Sequence, residues 1–175
     1  MNITLIGMSG VGKTRIGSLL SAKLSYRFID IDRIIEENSG KKLQELIDGL
    51  GNEEFLEMEE NAILNITDTS NTVISPGGSA IYSEKAMNFL KSISTVVFLD
   101  AALTEIKRRN SDFFDRGIVG LKEKGLKRLF EERIPLYRKY ADITINVEGF
   151  SDEQIADGLI KAPAYIKTQT TGSDR

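Results

Sequence analysis

The sequence contains no cysteine, no histidine and no tryptophan. Without cysteine there are no disulfides and no thiolate chemistry, and without histidine the commonest general base and the commonest metal ligand are both missing. Any catalysis must therefore run on carboxylates, lysines, arginines, hydroxyls and backbone amides. Positive charge is not in excess either: 23 Lys+Arg stand against 26 Asp+Glu, a net charge of -3. No long basic stripe supplies the phosphate contacts that dominate nucleic-acid affinity, so nucleic acid is not an expected partner. The longest uncharged stretch, Thr69 to Ser83, is too short to span a bilayer and holds Pro76, Gly77 and Gly78. A membrane helix is not expected. The first residues, MNITLIGMSG, lack a basic leader and a small-residue cleavage site, so the expectation is a soluble, cytoplasmic protein, by default a monomer.

What is present fits one globular domain of 175 residues, 41% hydrophobic and 28% charged. Short β-rich runs (NITLI, RFIDI, NTVIS, STVVFLD, DITINV) alternate with helical patterns, which predicts an α/β protein with a parallel sheet between layers of helices. In the first helical run Ile16, Leu19, Leu20 and Leu24 form an apolar stripe. In FLEMEENAILNI the stripe is Phe55, Met58, Ala62 and Ile66, with Glu54, Glu57 and Glu60 outward or on its flanks. Two segments break the rhythm. SDFFDRGIVG, residues 111–120, has the length of a lid loop, and KTQTTGSDR at the end is polar and unpatterned, a frayed tail.

Directly after the first strand comes GMSGVGKT, Gly7 to Thr14, which matches G-x-x-x-x-G-K-[ST] and opens a helix. Glycines let successive N–H groups turn inward toward phosphate oxygens, and the helix N-terminus adds partial positive charge. Gly10, Val11, Gly12, Lys13 and Thr14 are the candidate nucleotide ligands, with Lys13 reaching the β- and γ-phosphates and Thr14 offering its hydroxyl to Mg²⁺. The pattern establishes nucleotide binding but is shared by GTPases, ATPases and small-molecule kinases. No N-K-x-D guanine reader is present, which favours adenine.

Further candidates sit at strand ends. FIDID places Asp30 and Asp32 at and beyond the end of the second strand, where alternation turns both carboxylates the same way. One could hold water in a Mg²⁺ shell and the other could accept a substrate hydroxyl, although Asp32 could equally cap the following helix. Asp100, ending VVFLD, is a rival metal acid or another helix cap. In SPGGSA the adjacent Gly77 and Gly78 would let a ligand approach the backbone. Pro135 has no amide hydrogen and should interrupt the helix after Ile134, turning Arg133 inward.

Together GMSGVGKT, FIDID, EEFLEMEE, SPGGSA and ERIPLYRKYAD, in this order, resemble the shikimate kinase family over residues 1 to 160. The resemblance implies a three-layer αβα P-loop kinase fold of the nucleoside-monophosphate-kinase type, with a five-stranded parallel sheet. It implies one domain over 1–165 with a substrate-binding helical segment at about 32–65, a lid at about 111–120 and a tail from 166. It implies transfer of the γ-phosphoryl of Mg²⁺·ATP to the 3-hydroxyl of shikimate, a small hydroxylated substrate. By this resemblance Lys13, Asp32 and Arg116 are catalytic, and Asp32, Gly77, Gly78 and Arg133 hold the substrate, Arg133 by its carboxylate. Thr14, Asp30 and Ser75 surround the metal, and Arg109 lies over adenine.

Three positions depart from the family pattern. Leu56 stands where the family has a second carboxylate-binding arginine, the usual third glycine is Ser79, and the lid reads RGIV after its arginine. Losing one charge-assisted contact would weaken carboxylate binding by roughly ten- to a hundredfold unless Arg33 or Arg138 substitutes. A kinase for another polyol or sugar acid, and a non-catalytic ATP-binding regulator, are the alternatives.

Overall fold

A computed structural model describes residues 1–109 and 117–161. At its centre lie five strands, β1 (Ile3–Ile6), β2 (Arg27–Asp30), β3 (Thr72–Ser75), β4 (Thr95–Asp100) and β5 (Ile143–Asn146). Their spatial order is β2-β3-β1-β4-β5, and every neighbouring pair is parallel. β1 and β3 are buried along their whole length, so neither shows the alternation of a half-exposed strand. The chain builds first on one side of β1 and then on the other, so its direction reverses there. In open parallel sheets the ligand crevice forms beyond the carboxyl ends of the strands at such a reversal.

Helices cover both faces, as the sequence predicted. α1 (Lys13–Leu24) packs against β2, β3 and α8 (Asp152–Lys161), while α5 (Glu84–Ile93) and α7 (Leu121–Tyr140) pack on β4. Right-handed crossovers put these two groups on opposite faces. Between β2 and β3 the chain makes a helical excursion, α2 (Ile31–Ser39), α3 (Leu43–Leu50) and α4 (Asn52–Leu64), whose members pack on one another. α6 (Leu103–Arg109) follows β4. Among the described residues no helix is long and apolar enough to cross a membrane.

Three expectations about helices change. In α4 the buried face is Phe55, Glu59 and Ile63, spaced four apart, whereas Met58, Ala62 and Ile66 are only partly buried beside it. An acid therefore occupies the centre of the inward stripe. Helical geometry in α7 runs through Pro135, and the break is at Gly125, with φ 71° and ψ 158°. Arg133 still faces inward, because it lies four residues from both Leu129 and Tyr137 on one buried face. β2 ends at Asp30 and Ile31 begins α2, so strand alternation does not align Asp30 with Asp32. The cap of α2 is Asp30, whose carboxylate accepts the Arg33 N–H at 3.2 Å, and not Asp32.

Candidate active site

A cavity of about 820 Å³ opens beyond the carboxyl ends of the strands. One wall is the loop between β1 and α1. Gly12, with φ 112°, turns the chain into α1 without any side-chain cap, and the first turn of α1 carries no acid. Every other described α-helix has an acid in its first turn. The α1 N-terminus thus presents its N–H dipoles to the cavity with no acid of its own helix beside them. Lys13 is buried, and its ammonium donates to the Gly7 and Met8 carbonyls at 2.9 and 3.3 Å. Burial lowers its pKa, opposed by the charges of Asp32 and Asp30.

The strand register assembles the next layer. Asp30 and Ser75 are direct neighbours at the ends of β2 and β3, and the Thr14 hydroxyl donates to Asp30 Oδ2 at 2.7 Å. Asp32, one helical residue further on, lines the cavity. Burial pushes its carboxyl up to about 6 against the pull of Lys13. The set suits a magnesium ion that arrives with a nucleotide: a hydroxyl and a single nearby carboxylate, with the remaining positions left to phosphate and water. Among the described residues no cluster of three or more acids could hold a metal alone.

Beside the phosphate loop, where Gly78 abuts Ser9, Gly77 and Gly78 bring bare backbone to the cavity. A Cβ on Gly77 would collide with Glu59 Oε1 and lie 2.7 Å from Asp32 Oδ1. On Gly78 it would lie 3.1 Å from Arg133 Nη1. Arg133 has no exposed surface yet lines the cavity. Its Nη2 donates to the Val119 carbonyl at 2.8 Å, its Nε donates to Tyr82 Oη at 3.2 Å, and its guanidinium sits 5.2 Å from the Tyr82 ring centre. Tyr82 in turn donates to Glu132 at 2.6 Å, and Tyr137 fixes Gly78 by donating to its carbonyl at 2.6 Å. These bonds hold the cation at the cavity wall with Nη1 toward Gly78.

The other end of the cavity is bounded by Arg109, Phe150, Ser151 and Asp152. Arg109 staples this end together. It donates to the Val11 carbonyl at 3.2 Å, the Val147 carbonyl at 3.0 Å and Glu105 at 2.7 Å. Asp152 lies 3.8 Å from Arg109 and 3.0 Å from Arg15. Hydrogen bonds from Arg108 and Arg109 hold Glu105 down to about 2.

The family model described as shikimate kinase matches residues 9–163. The chain belongs to the shikimate kinase family. A shikimate kinase of Thermodesulfovibrio yellowstonii is 35% identical over 162 residues, covering 91% of this chain and 93% of the relative. Among solved structures, the shikimate kinase of Acinetobacter baumannii in complex with shikimate superposes with a TM-score of 0.85 at 28% identity, covering 95% of this chain and 93% of that one. The Aquifex aeolicus enzyme superposes with a TM-score of 0.80 at 31% identity, covering 99% and 100%.

Of the residues assigned from the phosphate-loop pattern and from the resemblance to shikimate kinases, Gly10, Gly12, Lys13, Thr14, Asp32, Ser75, Gly77, Gly78, Arg109 and Arg133 all line this one cavity. Asp30 reaches it through Thr14. Val11 does not: its N–H donates to the Met8 carbonyl within the loop, and its own carbonyl takes Arg109. Arg116, residues 111–116 of the lid and the tail from 166 lie outside the described residues. Asp100 is drawn away into a 3.3 Å pair with Arg138, and Arg33 pairs with Glu37 on the surface. Neither Arg33 nor Arg138 lines the cavity, so neither replaces the arginine absent at Leu56. Sequence reasoning missed Glu59, Tyr82, Tyr137, Phe150 and Asp152. The four-residue spacing of Phe55, Glu59 and Ile63 was the available signal for the first of these.

Proposed function

We propose that this protein transfers the γ-phosphoryl group of ATP to the 3-hydroxyl of shikimate. The observation that carries this reading is a single cavity with a helix N-terminus that has no acid of its own and Lys13 at one wall, and half-buried Asp32 and fully buried Arg133 at another. A polyanion fits the first wall, and a small hydroxylated carboxylate fits the second. The likeness to a shikimate kinase solved with shikimate supports the choice of acceptor.

In this reading Lys13 exchanges its bonds to the Gly7 and Met8 carbonyls for phosphate oxygens and offsets the charge on the transferring group. Thr14, with Asp30 and Ser75 beside it, would hold Mg²⁺. The ion neutralises charge on the β- and γ-phosphates when bound. Asp32 accepts a hydrogen bond from the acceptor hydroxyl, whose oxygen forms the new P–O bond as the bond from the γ-phosphorus to the ADP oxygen breaks. The hydroxyl proton passes to Asp32 late in the step. Because such transition states are loose, positioning counts for more than base strength, and a carboxylate serves without histidine. Arg133 grips the carboxylate, oriented by Tyr82 and Val119. Arg109 and Asp152 bound the nucleotide's distal part.

Leu56 favours one second reading, a related acid or polyol as acceptor, since Arg133 is the single described cation at the acceptor end of the cavity. An ADP-release assay with shikimate and a panel of hydroxylated acids and neutral polyols separates the two. Shikimate-dependent ADP release is expected, and Leu56→Arg should lower the KM for shikimate about tenfold by restoring a charge-assisted contact. ADP release that responds to another panel member and not to shikimate would establish the second reading, and no response to any acceptor would contradict both.

A further inference from the structure

Glu59 Oε1 is the buried side-chain oxygen that finds no hydrogen-bond partner among the described residues. The side chain is 1% exposed, at the centre of the inward face of α4. Its other oxygen, Oε2, accepts the Ser79 hydroxyl at 2.7 Å. Oε1 lies against Gly77, and it and Asp32 Oδ1 both border the point that a Gly77 Cβ would occupy. The charged groups facing Glu59 are Asp32 from α2, Lys13 from α1 and Arg133 from α7, and neither cation forms an ion pair or hydrogen bond with it. Its own helix offers nothing either: the neighbours on the inward face are Phe55 and Ile63, and the residue three positions before it is Leu56.

An ionised carboxylate in this position would be a buried anion with one bare oxygen, next to a second anion. A neutral acid removes both penalties. We infer that Glu59 carries its proton in the folded, ligand-free protein and, as a neutral acid, is a positioning residue for the turn at Gly77–Ser79. Because Ser79 donates to Oε2, the proton resides on Oε1, on the side of Gly77 and Asp32. Of the two acids that border Gly77, Asp32 alone then remains an anion for the acceptor hydroxyl, and Ser79 keeps an acceptor that fixes the end of the glycine turn. Burial, followed by the Asp32 charge, pushes the Glu59 carboxyl up to about 7, in the same direction. The protonation state stands on the packing alone, whereas the positioning role rests on the proposed acceptor site.

The two parts are tested separately. Infrared spectra of ligand-free wild type labelled with carboxyl-¹³C glutamate, recorded as pH is lowered below about 7, should show a carboxylic-acid C=O band that persists well above the ordinary glutamate range near 4.5. Glu59→Gln, which keeps an acceptor for Ser79 and a donor toward Gly77, should remove this band. Absence of an acid band at pH 5 to 7 in the wild type would overturn the protonation, whether or not the protein phosphorylates shikimate. For the positioning role, Glu59→Ala should raise the KM for the acceptor about tenfold and leave the KM for ATP unchanged, while Glu59→Gln should raise it no more than about twofold. Equal losses in the two variants, or equal effects on both substrates, would overturn it.

Discussion

Lys13 and Glu59 show how differently two buried charges can be encoded. Lys13 belongs to a contiguous motif whose glycines and following helix are all local, so its place is legible in the amino-acid sequence by itself. Glu59 sits in a run of acids, EEFLEMEE, where composition suggests a solvated face, and only its register with Phe55 and Ile63 distinguishes it from Glu57 or Glu60. Its burial has a consequence for stability. The unfolded chain releases this proton near 4.5 and the folded chain holds it to about 7, so the folded state binds more protons in that window and stability falls as pH rises through it. Glutamine does not ionise. Urea unfolding should therefore show Glu59→Gln gaining on wild type between these two values, by on the order of 3 kcal/mol at most above them. A stability difference that stays flat with pH would contradict a raised Glu59 pKa.

At the scale of elements, apolar runs and turns revealed the alternation of strands and helices, but the devices that aim each helix were less visible. Pro135 looked like the break in α7, yet the chain turns at Gly125, because a left-handed φ costs glycine little and the proline's missing hydrogen bond is absorbed within an otherwise packed helix. Likewise Asp30 rather than Asp32 caps α2, which frees Asp32 for the cavity. The start of α8 carried no recognisable motif. Its Asp152 nevertheless faces Arg15 and Arg109, and Arg109 joins the phosphate loop to the end of β5. Asp152→Asn should loosen this staple and raise the KM for ATP about fivefold while leaving the KM for shikimate unchanged. Steady-state kinetics with each substrate varied in turn will check it, and an unaltered ATP dependence would assign Asp152 to the α8 N-terminus alone.

For the whole molecule, the strand order β2-β3-β1-β4-β5 is what turns scattered motifs into one site. It sets the phosphate loop after β1 beside the ends of β3 and β2, so that residues as distant in sequence as Thr14, Asp32, Ser75 and Arg133 share a cavity. The sequence pattern implied the layers and the five β-rich runs, and the family resemblance supplied the P-loop kinase fold. The network behind the cavity, Glu59 to Ser79 and Arg133 to Tyr82, joins side chains far apart in the chain, and these pairings had no local signal. The central claim is that both substrates meet in this cavity and that Lys13 stabilises the group passing between them. Phosphorus NMR of a mixture of Mg²⁺·ATP, shikimate and enzyme tests it most directly. Wild type should convert ATP to ADP with an equal amount of a new phosphomonoester, and Lys13→Met should slow this by at least about a hundredfold. Release of inorganic phosphate in place of the ester, or near-normal ester formation by Lys13→Met, would contradict the account.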